Sequence, residues 1–460
     1  MTIPSDLFLS PDLSEEDARG YLRALGFRDP EGTDRLLQEM AEDMAMRQAL
    51  GRIAGDLLPA LLESPDPDAA VAGLSHYLAA RSGRGMFLDY LAEDPRAMHV
   101  MACVFGSSPM LSEILVRHPE YFHWLVSQVE RSAPERQDLE EELAAMLVNV
   151  DEAADAIAVL NAWQRRELLR IATRDLLRRE TVPAATAQLS DLAEVAVDGA
   201  LAIVTRQRLR DGSRDAIPGA ITVIGLGALG ARELGYGPDL QLLVVHETAG
   251  DSPGAAAFFE ALRVALTEAL RGNEENQGMY RVKADGRSLE NHVSTLAASR
   301  GHADRLALLQ ARSVAGDAAL GARFVDATRA FIFDTEPGRS AIGDLWREGS
   351  SGQLSGASQV ERVTQLFQLA HGTAHPALRQ PGTLAALETL ASLGLLPEAA
   401  KRELSQAYIF LKTVEHRLQL LHDHQTGLGS AEDLDKQVTA YRSRVAELST
   451  ALIQPFTIGQ

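Results

Sequence analysis

Two polar positions at the start of an apolar segment carry the most informative chemistry in this chain. Asp239 opens the segment, which runs to His246, and Gln241 lies two residues further on. Because side chains alternate across a strand, Asp239 and Gln241 should share one face of it. Two carboxylates so placed, with a third from a neighbouring strand, can hold the divalent metals that neutralise phosphate charge. Only the first position is a carboxylate here, which indicates a metal site that has lost a ligand.

A glycine-rich turn precedes these two positions. It follows a β-branched apolar segment, Ile221 to Gly225, and its glycines are Gly225, Gly227 and Gly230. The backbone N–H groups of such a turn can face a phosphate group. We therefore predict two strands joined by this turn, with the three glycines as candidate nucleotide-binding residues.

The same glycine spacing matches the dinucleotide-binding fingerprint, and Glu247 lies where a ribose-binding acid would be expected. That alternative needs a crossover helix between the two strands. The interval from Gly230 to Leu240 contains Gly235 and Pro238 and is shorter than a parallel crossover requires. We therefore expect an antiparallel pair of strands and no nicotinamide cofactor.

These elements belong to a chain of 460 residues with 46% hydrophobic residues and a formal net charge of -20. Such an acidic chain disfavours nucleic acid as a partner. Cys103 is the single cysteine, which excludes an internal disulfide and fits a reducing, cytoplasmic setting. The N-terminal residues do not resemble a signal peptide, and no apolar run is long enough for a membrane helix.

The pattern of apolar residues predicts an α+β, mostly helical protein around a small β-sheet. Helical periodicity fills residues 1–200, strands concentrate in the region 201–345, and helices return in the C-terminal region 346–460. We predict a helix over 252–270 and a half-buried strand over 278–285, with helices again from about residue 303. A Gly/Ser-rich loop at 347–358 is expected to separate the last two regions.

Several other polar side chains have two interpretations each. Arg166, Arg170, Arg174 and Arg178 recur every four residues and could dock a phosphate or an acidic partner, although a solvated helix face is the preferred interpretation. His416 is expected to be a packing residue rather than a catalytic one. His422 and His424 lie near Asp423, but their spacing puts them on different helix faces.

Longer stretches of the chain resemble the glutamine synthetase adenylyltransferase/deadenylase family, in particular its N-terminal half. The family motif reads roughly GMGKLGGRELNYxSDxDL, and residues 225–242 read GLGALGARELGYGPDLQL. Further similar segments follow the family's order along the chain: FGSSPMLSEILVRHPE at 105–120, RRELLRIATRDL at 165–176, LSDLAE at 189–194, LALLQARSVAGDAALGARF at 306–324 and AYIFLKTVEHRLQLLHDHQT at 407–426.

This resemblance implies a nucleotidyltransferase-like sheet domain flanked by helical domains. It implies ATP or ADP with Mg²⁺ as cofactors if the chain is active, and glutamine synthetase or a nitrogen-signalling protein as a partner. The family enzyme has two such halves, one that attaches AMP to glutamine synthetase and one that removes it by phosphorolysis. The resemblance covers only one of them, so a separate adenylylating chain is a further candidate partner.

The departures from the family pattern fall on the residues that would carry out the chemistry. Gln241 replaces the second carboxylate of the DxD pair, Ala228 replaces a lysine, and Pro238 replaces a serine. A strand pattern like YxVDxRLRP carries the third carboxylate, and Lys283 stands at its acidic position. In a later motif, GGIRDIEF, only Gly356 and Glu361 match.

We therefore expect a pseudoenzyme that acts in nitrogen regulation. Two alternatives stay open. In one, an active Mg²⁺-dependent adenylyltransferase or adenylyl-tyrosine phosphorylase uses Asp239 with Asp285, helped by Gln241 as a neutral ligand. Asp285 should then lie within about 5 Å of Asp239; if activity is lost, Lys283 should pair with Asp239 instead. In the other, the chain is a scaffold without chemistry and needs no cofactor.

Overall fold

A computed structural model describes residues 4–212, 215–237, 239–249, 254–271, 279–299, 301–350, 356–421 and 431–457. Helices dominate these residues, and one four-stranded sheet accompanies them. The predicted fold class, α+β and mostly helical, is confirmed. No helix in the described part of the chain is long and apolar enough to cross a membrane.

The first half of the chain is a succession of twelve helices. They are α1 (Asp6–Leu9), α2 (Glu15–Leu25), α3 (Pro30–Met40), α4 (Met44–Leu62), α5 (Pro67–Ala80), α6 (Arg84–Glu93), α7 (Pro95–Phe105), α8 (Pro109–Arg117), α9 (Tyr121–Val129), α10 (Arg136–Leu147), α11 (Ala153–Leu176) and α12 (Val182–Asp211).

The sequence sets the starts of many of these helices. The hydroxyl of Ser14 accepts a hydrogen bond from the backbone N–H of Asp17 and caps α2. Four other helices begin with a capping Asp or Ser followed by proline at the first helical position: α3, α5, α7 and α8. Proline fits there because the first helical N–H has no partner within the helix.

The sheet and its surrounding helices follow. They are β1 (Gly219–Gly225), α13 (Gly227–Ala231), β2 (Asp239–Thr248), α14 (Ala255–Arg271), β3 (Arg281–Ser288), α15 (Leu289–Ala298), α16 (His302–Leu308), β4 (Arg312–Gly316) and α17 (Ala318–Phe333). The strand order is β3-β2-β1-β4. β1 pairs antiparallel with both β2 and β4, whereas β2 and β3 are parallel and α14 connects them.

The antiparallel pairing of β1 with β2 confirms the prediction made from the short interval between them. β4 was not predicted, because the five residues of RSVAG lie between helical segments and are too few to show an alternating pattern. Buried side chains from β1, β2, α15 and α17 form a core cluster of the sheet region, which includes Ile224, Val245 and Phe324.

The C-terminal region consists of α18 (Arg339–Ser350), α19 (Gly356–His371), a 3-10 turn (Pro376–Leu378), α20 (Thr383–Ser392), α21 (Glu398–Leu421) and α22 (Ala431–Thr457). The predicted loop at 347–358 is wrong at both ends, because residues 347–350 belong to α18 and residues 356–358 belong to α19; the residues between them lie outside the described part of the chain. The apolar seam of α21 is buried at Leu404, Ala407 and Leu411, whereas Leu418 is exposed.

The described chain divides into two compact units, each made of several stretches. One contains residues 1–133, 166–181 and 416–431, and the other contains 134–165, 182–415 and 432–460. The sheet and the C-terminal core belong to the second unit. The three linear domains 1–200, 201–345 and 346–460 stay a prediction.

Candidate functional site

The glycine turn lies between β1 and β2, directly beside the predicted metal-binding strand. The backbone N–H of Leu226 donates to the carbonyl of Gln241 at 3.0 Å, which closes the turn against β2. Gly227 has φ +54, a left-handed conformation that glycine adopts without strain. A Cβ added at Gly227 would lie 3.8 Å from Oε1 of Gln241. The turn therefore borders the position where the second carboxylate would be expected.

Packing alone explains the other two glycines of the turn. A Cβ at Gly230 would lie 1.9 Å from the carbonyl oxygen of Gln310, and one at Gly225 would lie 2.9 Å from Val314. Both contacts are shorter than van der Waals distances allow. The three glycines are therefore required by the local fold, and their role in nucleotide binding stays a prediction.

Four polar side chains face the same side of the sheet where β2 and β3 begin. In the parallel register Asp239 is opposite Arg281 and Gln241 is opposite Lys283. All four positions are exposed, whereas Leu240 and Val282 between them are buried. These four positions carry one carboxylate and two cations, so their formal charge is positive.

Asp239 is held by Arg281 in a two-pronged ion pair. Nε of Arg281 donates to Oδ1 of Asp239 at 2.9 Å, and Nη2 donates to Oδ2 at 3.0 Å. Both oxygens of the candidate metal ligand are therefore engaged by a guanidinium group. The side chains are 65% and 72% exposed, which means that water screens the pair strongly.

The residues after the glycine turn fasten it to neighbouring helices. Arg232 pairs with Asp191 of α12 at 2.8 Å, and the backbone N–H of Leu234 donates to the hydroxyl of Ser190. Glu233 accepts hydrogen bonds from the backbone N–H and the hydroxyl of Thr383, at 2.6 and 2.9 Å. Because Thr383 begins α20, the Glu233 carboxylate caps that helix.

A partly buried cluster of charged groups adjoins Glu233. The hydroxyl of Tyr408 lies 3.4 Å from Glu361, and the ammonium group of Lys412 lies 2.9 Å from the same carboxylate. Burial, together with the nearby charge of Glu361, raises the pKa of Glu233. Burial opposes the charge of Lys412, but Glu361 and Glu415 outweigh it and hold the Lys412 pKa above its usual value. Sequence reasoning missed this cluster.

Comparisons with known proteins now decide the family. A glutamate-ammonia ligase adenylyltransferase family model matches residues 98–327, and a GlnD PII-uridylyltransferase model matches residues 356–447. The first match contains all four strands of the sheet. The chain belongs to the glutamate-ammonia ligase adenylyltransferase family.

Curated relatives carry the name bifunctional glutamine synthetase adenylyltransferase/adenylyl-removing enzyme. The chain is 31% identical to the protein of Streptomyces avermitilis, over 89% of this chain and 42% of the relative. It is 29% identical to that of Leifsonia xyli over 89% and 43%, and 30% identical to that of Nitrosococcus oceani over 72% and 38%. The chain thus spans less than half the length of these relatives.

The donor set of this family member does not fit a divalent metal ion. Hard cations such as Mg²⁺ are held by one or more free carboxylates, but Asp239 is occupied by Arg281, and Lys283 faces Gln241. Within the described residues, no group of three or more His, Cys, Asp or Glu side chains could hold a metal.

The strand register meets neither of the two conditions set for this site, Asp285 close to Asp239 if the chain is active or Lys283 paired with Asp239 if activity is lost. Asp285 lies opposite Leu243, four residues along the strand from Arg281, or about 13 Å from the level of Asp239. It therefore cannot be within about 5 Å of Asp239 as a shared ligand requires. Arg281, not Lys283, pairs with Asp239, because the parallel register puts Arg281 directly opposite it.

The arginine row of α11 is largely buried, so the preferred interpretation of a solvated face is wrong. Arg170 is 2% exposed and donates to Glu167 at 2.8 Å. Arg174 is 7% exposed and pairs with Glu180 at 2.7 Å. Arg174 also donates to the carbonyl oxygens at the end of α9: those of Gln128, Val129 and Arg131.

These contacts use Arg170 and Arg174 to hold the fold together. Arg166 is less buried, pairs with Glu167 at 3.1 Å and stacks over the ring of Trp124. A role for Arg166 in docking a phosphate or a partner stays a prediction.

The histidines are consistent with packing roles where the structure describes them. His416 is 1% exposed, and its Nδ1 lies 3.3 Å from Oδ2 of Asp175. His422, Asp423 and His424 lie outside the described residues, as does Pro238.

Proposed function

We propose that this chain is a catalytically degraded nucleotidyltransferase half that acts in nitrogen regulation by binding rather than by adenylyl transfer. The observation that carries the proposal is the ion pair between Asp239 and Arg281, beside Gln241 and Lys283. The proposed partner is glutamine synthetase, which the name of the relatives gives as their target. The proposed setting is the cytoplasm.

Electrostatics supports the loss of catalysis. A unit charge about 4 Å away contributes between about 1 kcal/mol in water and about 4 kcal/mol at a protein surface. Replacing a carboxylate by Lys283 turns an attraction for a divalent cation into a repulsion of similar size. Binding Mg²⁺ would also require the contact between Asp239 and Arg281 to break. Both effects oppose binding of the metal ion on which nucleotidyl transfer in this family depends.

The alternative of an active enzyme that uses Asp239 with Asp285 has less support. The register separates these two carboxylates by about 13 Å of strand, whereas one metal ion bridges oxygens only about 4 Å apart. The alternative of a scaffold without chemistry, which docks glutamine synthetase or a nitrogen-signalling protein, agrees with the proposal that the chain acts by binding.

Assays with glutamine synthetase test the proposal directly. The purified chain is mixed with glutamine synthetase, ATP and Mg²⁺, and transfer of labelled AMP is followed. In a second assay, adenylylated glutamine synthetase is incubated with phosphate, and release of ADP is followed. We expect neither reaction. Turnover that disappears in Asp239→Asn would overturn the proposal.

Binding is measured separately from turnover. Immobilised glutamine synthetase should retain the chain and the Asp239→Asn variant equally, because the metal position is not expected to contribute. Failure of both to bind would exclude glutamine synthetase as the partner.

A further inference from the structure

A cavity of about 340 Å³ lies in the unit formed by residues 1–133, 166–181 and 416–431. Its walls come from the C-terminal parts of α4 and α11, from α7 and the residues after it, and from α21. Its size falls at the small end of the range for ligand pockets. Apolar side chains, among them Leu176 and Leu177, form much of its surface.

Two residues that line this cavity have a buried polar atom without a complete set of hydrogen-bond partners. Ser107 is 4% exposed, and within the described residues its hydroxyl has no partner beyond a weak interaction with the Cys103 thiol. Arg417 donates from Nη2 to the backbone oxygen of Asp175 at 2.7 Å, but its buried Nη1 has no partner there. Buried groups of this kind are normally satisfied by protein, water or a ligand.

Arg178 adds a second guanidinium group to the cavity wall. It follows the end of α11 and has φ +55, a left-handed conformation in which glycine is strongly favoured. Its side chain is exposed and forms no ion pair with the rest of the described chain. An unpaired arginine at a position that suits glycine is therefore not explained by the stability of the helix end.

The charges around the cavity favour an anion. Glu63 contributes a carboxylate, but His99 faces it at 3.5 Å. The carbonyl groups at the helix ends already accept backbone hydrogen bonds, for example that of Arg174 from the N–H of Arg179 at 2.8 Å. The cavity therefore offers a ligand unsatisfied hydrogen-bond donors and positive charge.

We propose that this cavity binds a small organic anion. Its phosphate or carboxylate group would contact Arg178 and the free Nη1 of Arg417, and its apolar part would lie against Leu176 and Leu177. Guanidinium groups suit both kinds of anion because they present several N–H donors in one plane. This proposal is independent of the proposed function, since it involves neither the sheet nor the nucleotide.

Three probes of similar size test the cavity by titration calorimetry: phenyl phosphate, benzoate and the neutral benzyl alcohol. At least one anion should bind with one-to-one stoichiometry. Benzyl alcohol should bind at least about tenfold more weakly, because it cannot form charge-assisted hydrogen bonds. The better of the two anions identifies the acid group that the cavity prefers.

Cys103 lines the cavity and reports on its occupancy, because it is the single cysteine in the chain. The bound anion should slow alkylation of Cys103 by a maleimide. Binding without this protection would place the ligand elsewhere and overturn the proposal.

Arg178→Gly separates binding from stability. Glycine removes the guanidinium group and suits φ +55, so the Tm should stay the same or rise while anion affinity falls about tenfold or more. The matched control is Arg35→Gln, which removes an exposed arginine of α3 in the same unit and should leave affinity unchanged. The proposal fails if no anion binds, if benzyl alcohol binds equally well, or if Arg178→Gly binds like the parent chain.

Discussion

At the scale of single residues, the chemistry depends on which side chains are opposite each other in β2 and β3. The sequence correctly indicated that Asp239 and Gln241 share a face, because alternation along one strand is a local property. It did not identify Arg281 as the partner of Asp239, because the register between strands depends on tertiary packing. Comparison with a motif pointed to Lys283 as the partner of Asp239. In the structure the partner is Arg281, which lies on the same face of β3.

The exposed ion pair of the candidate site should contribute little to stability. Arg281→Ala should lower the free energy of unfolding by less than about 1 kcal/mol, because the pair is solvated on both sides. Denaturant unfolding measures this change. A loss above about 2 kcal/mol would show that the pair holds the strands together.

A buried ion pair provides the contrast. Glu194 is fully buried and receives hydrogen bonds from Arg136 and Arg312. Glu194→Ala should cost about 3 to 5 kcal/mol, because it leaves two part-buried arginines without their carboxylate. The same unfolding experiment compares Glu194→Ala with Arg281→Ala. Equal losses in the free energy of unfolding would contradict a stabilising role for the buried pair and a minor one for the exposed pair.

At the scale of elements, the glycine turn and Glu233 position the start of β2 against the helices. The turn and both of its strands were predictable from apolar runs and glycine spacing. The cap that Glu233 places on α20 was not, because 150 residues separate Glu233 from Thr383 and neither has a distinctive local pattern. β4 was missed for a different reason, since a five-residue strand carries too little periodicity.

The two central glycines of the turn should respond differently to alanine. Gly227→Ala should cost about 1 to 2 kcal/mol, the strain of a left-handed residue, since nothing lies closer than 3.8 Å. Gly230→Ala should cost more and can prevent folding, because its Cβ would overlap the Gln310 carbonyl at 1.9 Å. Unfolding curves and soluble yield measure both, and a harmless Gly230→Ala would contradict the packing of the turn.

Glu233 should make stability depend on pH. Its pKa is raised in the folded chain, so the folded state binds the proton more tightly than the unfolded state. Its stabilising contribution is therefore present below the unfolded pKa near 4.5 and is lost as the pH rises through the raised pKa.

The variant Glu233→Gln isolates this contribution from that of the other carboxylates. Parent and variant are unfolded in denaturant at several pH values between about 4 and 8. The parent should lose stability relative to the variant as the pH rises. A constant difference across this range would show that Glu233 does not titrate as its burial implies.

At the scale of the whole molecule, the match to the family rests on the scaffold, whereas the proposed loss of catalysis rests on a few side chains of the sheet. The match over residues 98–327 includes the sheet, its turn and the buried arginines of α11. Fold class and family were predictable, because they rest on many positions spread along the chain. The charge of the site depends on four side chains, and the register between β2 and β3 determines which of them are opposite each other.

The central claim is that the metal site has been lost, and restoring its ligands tests that claim most directly. The variant Gln241→Asp/Lys283→Asp restores three acidic positions, and adding Arg281→Gln also frees Asp239 from its guanidinium partner. Titration calorimetry with ATP and Mg²⁺ compares the parent, the double variant and the triple variant. We predict no Mg²⁺-dependent binding to the parent, measurable binding to the double variant and tighter binding to the triple variant. Mg²⁺-dependent binding of ATP to the parent that is abolished by Asp239→Asn would contradict the account.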